Sequence, residues 1–199
     1  MRIQNSGVQE SSMPIAEPII LVEYDPRWPE TFESLSKSLL GCLGDLAARI
    51  EHVGSTAIAG MVAKPIIDID VLAAEDADVQ AIIRQLARIG YVHEGDLGIR
   101  QREAFRASRT LPRHHLYVCH GDGEEYKRHI LFRDYLRGNS QTADAYACMK
   151  TSAAERFFND RIAYTNAKSE FVEQVIGLAR AKGQFTHGSE SIVKPARID

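Results

Sequence analysis

The sequence predicts one α/β (α+β) domain built on a small mixed β-sheet that helices cover. Segments with strand-like and helix-like apolar spacing are interleaved along the chain rather than separated into blocks. The 199 residues suffice for one well-buried core. Hydrophobic residues make up 44% and charged residues 26%, which is typical of globular domains. We place the domain at residues 18–182, between polar, flexible tails at 1–17 and 183–199.

The first half of the chain predicts a strand, a long helix and a second strand. Residues 19–24 form a short apolar run, and Asp25-Pro26 is a typical helix start. Apolar side chains at helical spacing then predict that one face of this helix, as far as Ile50, is buried. Residues 65–72 are β-branched and apolar, which predicts a strand.

The second half predicts one short helix, three short strands and three further helices. The short helix begins near Val79 and ends at Gly90. We predict the strands at residues 91–93, 103–107 and 115–119, and the helices at 124–137, 143–158 and 160–181.

Composition excludes several classes of partner. Lys and Arg total 24 and Asp and Glu total 27, so no overall positive field favours long nucleic acid. The longest apolar runs fall short of the roughly 20 residues that span a bilayer. We therefore expect no membrane partner. The three cysteines are far apart and form no C-x-x-C pair, which favours a reduced, cytoplasmic location.

Two acidic residues interrupt the apolar strand at 65–72. Residues i and i+2 of a strand share one face, so Asp68 and Asp70 project together and repel each other. A bound Mg²⁺ would offset that repulsion, because Mg²⁺ is commonly held by one or two carboxylates and phosphate oxygens. The alternative is a solvated face or a strand end near Lys64.

A Gly-Ser-Thr turn lies shortly before these carboxylates. Gly54 permits close approach of the backbone to a phosphate, and the hydroxyls of Ser55 and Thr56 can donate to one. Alone, such a sequence is most often an ordinary turn. Followed by D-x-D on a strand, it indicates a phosphate site beside a metal site.

This combination resembles the signature of the nucleotidyltransferase superfamily related to DNA polymerase β. Longer stretches resemble the GrpB (UPF0157) family, which is described as nucleotidyltransferase-like, and the resemblance spans about residues 19–181. The stretches that carry it are YDPRWPETF (24–32), IEHVGSTAIAGMVAKPIIDIDV (50–71), QLARIGY (85–91), RHHLYV (113–118), HILFRDYLR (129–137) and RIAYTNAKSEFV (161–172).

The resemblance implies a nucleotidyltransferase-like fold and a Mg²⁺-dependent transfer of a nucleoside monophosphate from a nucleoside triphosphate, ATP by preference, to an acceptor hydroxyl. It implies that Gly54, Ser55 and Thr56 hold the triphosphate and that Asp68 and Asp70 bind Mg²⁺ and are catalytic. We add Lys64 and Arg133 as phosphate-binding candidates, although Lys64 could simply balance Asp68 and Arg133 could form an ion pair with Asp134. Lys150, Tyr164 and Lys168 also occupy motif-like positions, and we expect Tyr164 to belong to the core.

The predicted site departs from the superfamily at its third carboxylate. The strand that should carry it has no acid, and Tyr117 stands where the family tends to have a second histidine. His115 is a candidate for metal binding or proton transfer, or it is a structural ring; Glu103 is a more remote substitute for the missing acid.

Three functions remain open on the sequence. The first is an enzyme acting on a small-molecule or protein acceptor, and the second is a nucleotide-binding module that has lost turnover. The third and weakest is a metal-dependent phosphohydrolase that would use the histidines His52, His114 and His115 with the two aspartates.

Overall fold

A computed structural model describes residues 18–121 and 123–183. The elements follow the chain as α1 Arg27–Leu43, β1 Ala47–Val53, β2 Ile67–Ala73, α2 Val79–Arg88, β3 Val92–Gly95, β4 Arg102–Arg106, β5 His114–Cys119, α3 Glu124–Arg137, α4 Ser140–Arg156 and α5 Arg161–Ala181. A short 3-10 turn, Ser55–Ala57, lies between β1 and β2. The predicted tails, apart from Gly183, lie outside the described residues.

The strands form a mixed sheet in the order β1-β2-β5-β4-β3. Only the central β2–β5 pair is parallel among the described strands, and β1–β2, β4–β5 and β3–β4 are antiparallel. The predicted α/β class with a small mixed sheet covered by helices is therefore confirmed.

The prediction for the first helix was wrong in its second half. α1 ends at Leu43, where Gly44 adopts a φ of 51°, and the chain then enters β1. Ile50 is fully buried, but as a residue of β1. Because its spacing from the α1 residues fits a helical period, the apolar pattern concealed an entire strand. The strand predicted at 19–24 is reduced to an isolated bridge between Val22 and Ala63.

The two faces of the sheet differ in chemistry because side chains alternate along each strand. The apolar side chains of β2 and β5 face α1 and α2 and form the main core; they include Ile67, Ile69, Val71, Leu116 and Val118. The opposite face carries the aspartates of β2, and α3 packs beside them through contacts such as those of Tyr126 and Ile130 with Val53 and Cys119. The predicted site therefore lies on the face away from the main core.

Candidate functional site

The Gly54-Ser55 turn lies directly against Asp68. Gly54 has a φ of 71° and a ψ of -169°, a conformation that is essentially restricted to glycine. A Cβ atom on Gly54 would lie 2.9 Å from Cγ of Asp68 and closer still to Oδ2. The glycine thus brings the turn and the carboxylate together, as the sequence motif requires.

Asp68 is paired with His115 across the parallel strands. The register of β2 and β5 places the two residues side by side, and His115 Nδ1 lies 2.8 Å from Asp68 Oδ1. An ionised carboxylate can only accept, so Nδ1 carries the proton and Nε2 is left for a second partner. Both side chains are about one-third exposed, at 34% for His115 and 31% for Asp68.

Asp70 has a different environment from Asp68. Its carboxylate is 0% exposed, and His129 Nδ1 donates to Oδ2 at 2.7 Å while His129 Nε2 lies 3.2 Å from Glu125 Oε1. Burial opposes the charged imidazolium, but Asp70 and Glu125 outweigh it and raise the pKa of His129 to about 10. The positive charge that the sequence demanded beside Asp70 is therefore supplied by α3, through a histidine that the sequence reasoning missed.

Arg133 is not brought to the predicted nucleotide site. Its side chain is 0% exposed, and Nη1 donates to Glu51 Oε2 at 2.8 Å and to the His52 carbonyl at 2.9 Å, while Nε donates to Asp134 at 2.7 Å. Glu51 is itself fully buried, so the guanidinium is committed to balancing it. The ion-pair alternative for Arg133 is the one that the structure supports.

Arg137, which with Arg133 was expected to reach an anionic ligand, instead holds the turn that follows Gly54 in place. It lies four residues after Arg133 on α3 and donates from Nε and Nη2 to the carbonyl of Ala57, at 2.9 and 2.6 Å. The repeat of basic residues every four positions at His129, Arg133 and Arg137 was a signal for this role. The sequence alone did not reveal which acceptors would meet it.

A small cavity of about 170 Å³ joins the turn to three lysines. Its lining includes Ser55, Asp68, His115, Lys64, Lys150 and Lys168. Lys150 Nζ donates to Ser55 Oγ at 3.0 Å, and Lys168 Nζ lies 4.4 Å from the centre of the Tyr164 ring. Tyr164, which we expected in the core, is buried and also lines this cavity.

The cavity holds more positive charge than its single carboxylate can balance. Burial and repulsion from Lys168 lower the pKa of Lys150 to about 7. Burial and repulsion from Lys64 lower the pKa of Lys168 to about 8, and burial is also the main cause of the lowered pKa of Lys64. Ammonium groups that are destabilised first by burial and then by one another would be stabilised by an anion bound in this cleft.

Other candidates have structural partners. The Thr56 hydroxyl is buried and lies 3.0 Å from His52 Nε2, so it is not presented to a phosphate. His114 lies 2.6 Å from the Tyr91 hydroxyl and 2.7 Å from the carbonyl of Pro112. Of the three histidines considered for a phosphohydrolase, His115 alone lines the cavity.

Glu103, the remote candidate for the missing third acid, also has a structural partner. Glu103 lies on β4, where its carboxylate is 2.6 Å from His93 Nε2, and it does not line the cavity. Within residues 18–121 and 123–183, no group of three or more His, Cys, Asp or Glu side chains could by itself hold a metal ion. A Mg²⁺ ion here would need oxygens from a ligand, and Mg²⁺ is usually bound in that way.

The chain's kinship is decided by its match to a family model. The model described as GrpB protein matches residues 18–177. The chain belongs to the GrpB family. A UPF0157 protein of Halalkalibacterium halodurans is 36% identical over 166 residues, which cover 82% of this chain and 83% of that protein. The glutamate-rich protein GrpB of Alkalihalophilus pseudofirmus is 34% identical over 163 residues, which cover 79% of this chain and 94% of that protein.

Solved structures extend the GrpB likeness to the fold. The crystal structure of conserved protein GrpB from Enterococcus faecalis has a TM-score of 0.75 at 32% identity, covering 82% of this chain and 99% of that chain. Structures of Cid1, one in complex with its short product ApU, reach a TM-score of 0.48 at 13% identity, a level that carries no argument about activity. Among the described helices, none is long and apolar enough to cross a membrane.

Proposed function

We propose that this GrpB protein transfers a nucleoside monophosphate from a nucleoside triphosphate, with ATP as the first candidate, to an acceptor hydroxyl. The observation that supports the proposal is the single cavity in which Ser55, three lysines and the Asp68–His115 pair converge. Phosphoryl-group transfer depends mainly on positioning and charge stabilisation, and these groups supply both.

The lysines bind the polyphosphate. Lys64, Lys150 and Lys168 face Asp68 as the one acidic residue in the cavity lining, so an entering polyphosphate meets excess positive charge. Lys150 also fixes the Ser55 hydroxyl, which is 3.0 Å away. The positive ends of the turn's backbone N–H groups favour the same anion.

The carboxylates fit a Mg²⁺ ion that arrives with the nucleotide. Asp68 lines the cavity, and Asp70 Oδ1 is buried without a hydrogen-bond partner in the described part of the chain. A carboxylate oxygen of Asp68 and Asp70 Oδ1, together with phosphate oxygens, would form the ligand set. When bound, Mg²⁺ would neutralise negative charge on the phosphates.

His115 is positioned to accept the proton of the acceptor hydroxyl. Asp68 fixes the tautomer with the proton on Nδ1, so Nε2 has a lone pair available for the hydroxyl. The same hydrogen bond stabilises the imidazolium that forms. This arrangement gives the site a base despite the missing third carboxylate.

A nucleotide-binding module without turnover is the second candidate. Tyr117 stands beside Asp70 in the β2–β5 register, where a further acid would complete a carboxylate cluster. Such a module would bind Mg²⁺-nucleotide and release no pyrophosphate.

Calorimetric titration with Mg²⁺-ATP and the other triphosphates tests the binding step. Lys168→Met should weaken binding at least about tenfold, because one charge-assisted contact is lost. Lys37→Met is the matched control, since Lys37 is exposed on α1 and pairs with Glu33. Equal binding by both variants and the wild type would remove the cavity from the proposal.

Pyrophosphate release across an acceptor panel tests the transfer step. The panel should include coenzyme A precursors, because 76% of this chain aligns, at 28% identity, with 43% of a protein of Mycolicibacterium paratuberculosis named dephospho-CoA kinase. Asp68→Asn should abolish release. Tight nucleotide binding with no release from any acceptor would favour the binding module.

A further inference from the structure

A second and larger cavity adjoins the cavity lined by Lys64, Lys150 and Lys168, which we call the lysine cavity. This groove has a volume of about 700 Å³ and runs along β4, β5 and the loop between them. Its size matches that of pockets for metabolites. The groove and the lysine cavity share two lining residues, Ile66 and His115, so they meet at the proposed base.

The groove is positively charged through arginines rather than lysines. Arg106 lines it but is paired with Glu94 at 2.8 Å. Arg109, Arg113 and Arg161 also line it, and Arg109 and Arg161 form no ion pair with any residue that the structure describes. Guanidinium groups bind carboxylates and phosphates through paired hydrogen bonds, which makes arginine suited to recognising such a group.

His115 lines both cavities, so a nucleotide in one cavity and an acceptor in the other would both lie beside its imidazole. The lysine cavity lies on the side of Ser55 and Asp68, where the polyphosphate binds in the proposed function. The groove continues from His115 along β4, β5 and the loop between them, and its lining includes Arg109 and Arg161. A hydroxyl compound in the groove would reach His115 without occupying the polyphosphate site.

We propose that the groove binds the acceptor, and that the acceptor is a small molecule carrying a phosphate or carboxylate group in addition to its reactive hydroxyl. The inference rests on the proposed function and adds the chemical class of its unknown substrate. The anionic group binds Arg109 and Arg161, while the hydroxyl lies at His115.

The transfer step balances with these groups. The acceptor oxygen forms a bond to the α-phosphorus of the nucleotide, and the bond from that phosphorus to the bridging oxygen of pyrophosphate breaks. The acceptor proton moves to His115 Nε2, and pyrophosphate leaves from the lysine cavity. The product is a nucleotidylated acceptor that keeps its anionic group.

Matched pairs of hydroxyl compounds provide the test. Glycerol is compared with glycerol 3-phosphate and with glycerate, and ribose with ribose 5-phosphate, each titrated into the protein saturated with Mg²⁺ and a non-hydrolysable ATP analogue. The measured quantity is the ratio of affinities between the anionic and the neutral member of a pair. Because both members of a pair are titrated into the same nucleotide-bound protein, the ratio does not depend on how tightly the nucleotide binds. A ratio near one would therefore overturn the acceptor proposal without contradicting the proposed nucleotide binding.

The wild type should bind at least one anionic member about tenfold or more tightly than its neutral counterpart. Arg109→Ala and Arg161→Ala should each reduce that ratio about tenfold, since each removes a charge-assisted hydrogen bond. Arg84→Ala is the control, because Arg84 lies on α2 outside the groove. A ratio near one for every pair, or an unchanged ratio in both groove variants, overturns the proposal.

Discussion

Replacing Gly54 by Ala tests whether the turn and Asp68 are fitted to each other. The substitution has two costs. An alanine at φ 71° and ψ -169° is strained by about 1–3 kcal/mol. The added Cβ, at 2.9 Å from Asp68 Cγ, must also displace the carboxylate, which costs about 1–3 kcal/mol more. We expect a total loss of about 2–6 kcal/mol in the free energy of unfolding, measured by urea denaturation.

Two further variants separate these costs. Gly60 has a φ of 76° with nothing within 4 Å of an added Cβ, so Gly60→Ala reports the cost of a positive φ without a clash, about 1–2 kcal/mol. Gly54→Ala should then cost at least about 1 kcal/mol less in an Asp68→Ala background, as a double-mutant cycle measures. The reasoning is refuted if Gly54→Ala costs no more than Gly60→Ala and the cycle shows no coupling.

Three other predictions concern charged groups, one in the buried pair beside the site and the others in the site itself. Arg133→Met should lower the free energy of unfolding by about 3–5 kcal/mol, because it leaves Glu51 buried without its guanidinium; a loss below 1 kcal/mol in urea would contradict this. Polyphosphate affinity should fall at least about tenfold between pH 6 and pH 9, because Lys150 and Lys168, with pKa values of about 7 and about 8, lose their protons in that window. Calorimetry should show a flatter profile for Lys168→Met. His115→Gln should lower the rate of pyrophosphate release by about 10²–10⁴-fold with little change in nucleotide affinity, and equal losses in both would instead make His115 a binding residue.

The sequence predicted the local features of the site but not the partners that reach it from elsewhere. Asp68 and Asp70 do share a face of β2, because a period of two is a property of any strand. α3 was predicted with its observed bounds, Glu124–Arg137, and Gly138-Asn139 indicated where its apolar pattern ends. By contrast, the fact that α3 packs beside β2 and places His129 on Asp70 depends on the tertiary arrangement.

Strand β1 shows how an ambiguous pattern conceals function. Ile50 was assigned to a helix because its spacing fitted one, and Glu51 was therefore never considered as a buried acid. The β1–β2 register places Glu51 beside Asp70, so two buried acids are neighbours. The guanidinium of Arg133 is then needed to balance Glu51 and is not available to bind a nucleotide. The error about Arg133 thus followed from the error about β1.

The two aspartates of β2 differ in exposure and in hydrogen-bond partners. Asp70 is enclosed by α3 with its own cation, so it contributes one orphaned oxygen, whereas Asp68 faces the cavity and orients His115. In the proposed site, one accessible carboxylate can hold little metal charge, so side chains must supply the remaining positive charge, and three lysines line the cavity. Under the proposed function, lysine side chains therefore supply much of the charge stabilisation, and the charge state of Lys150 and Lys168 should govern nucleotide binding in this GrpB protein.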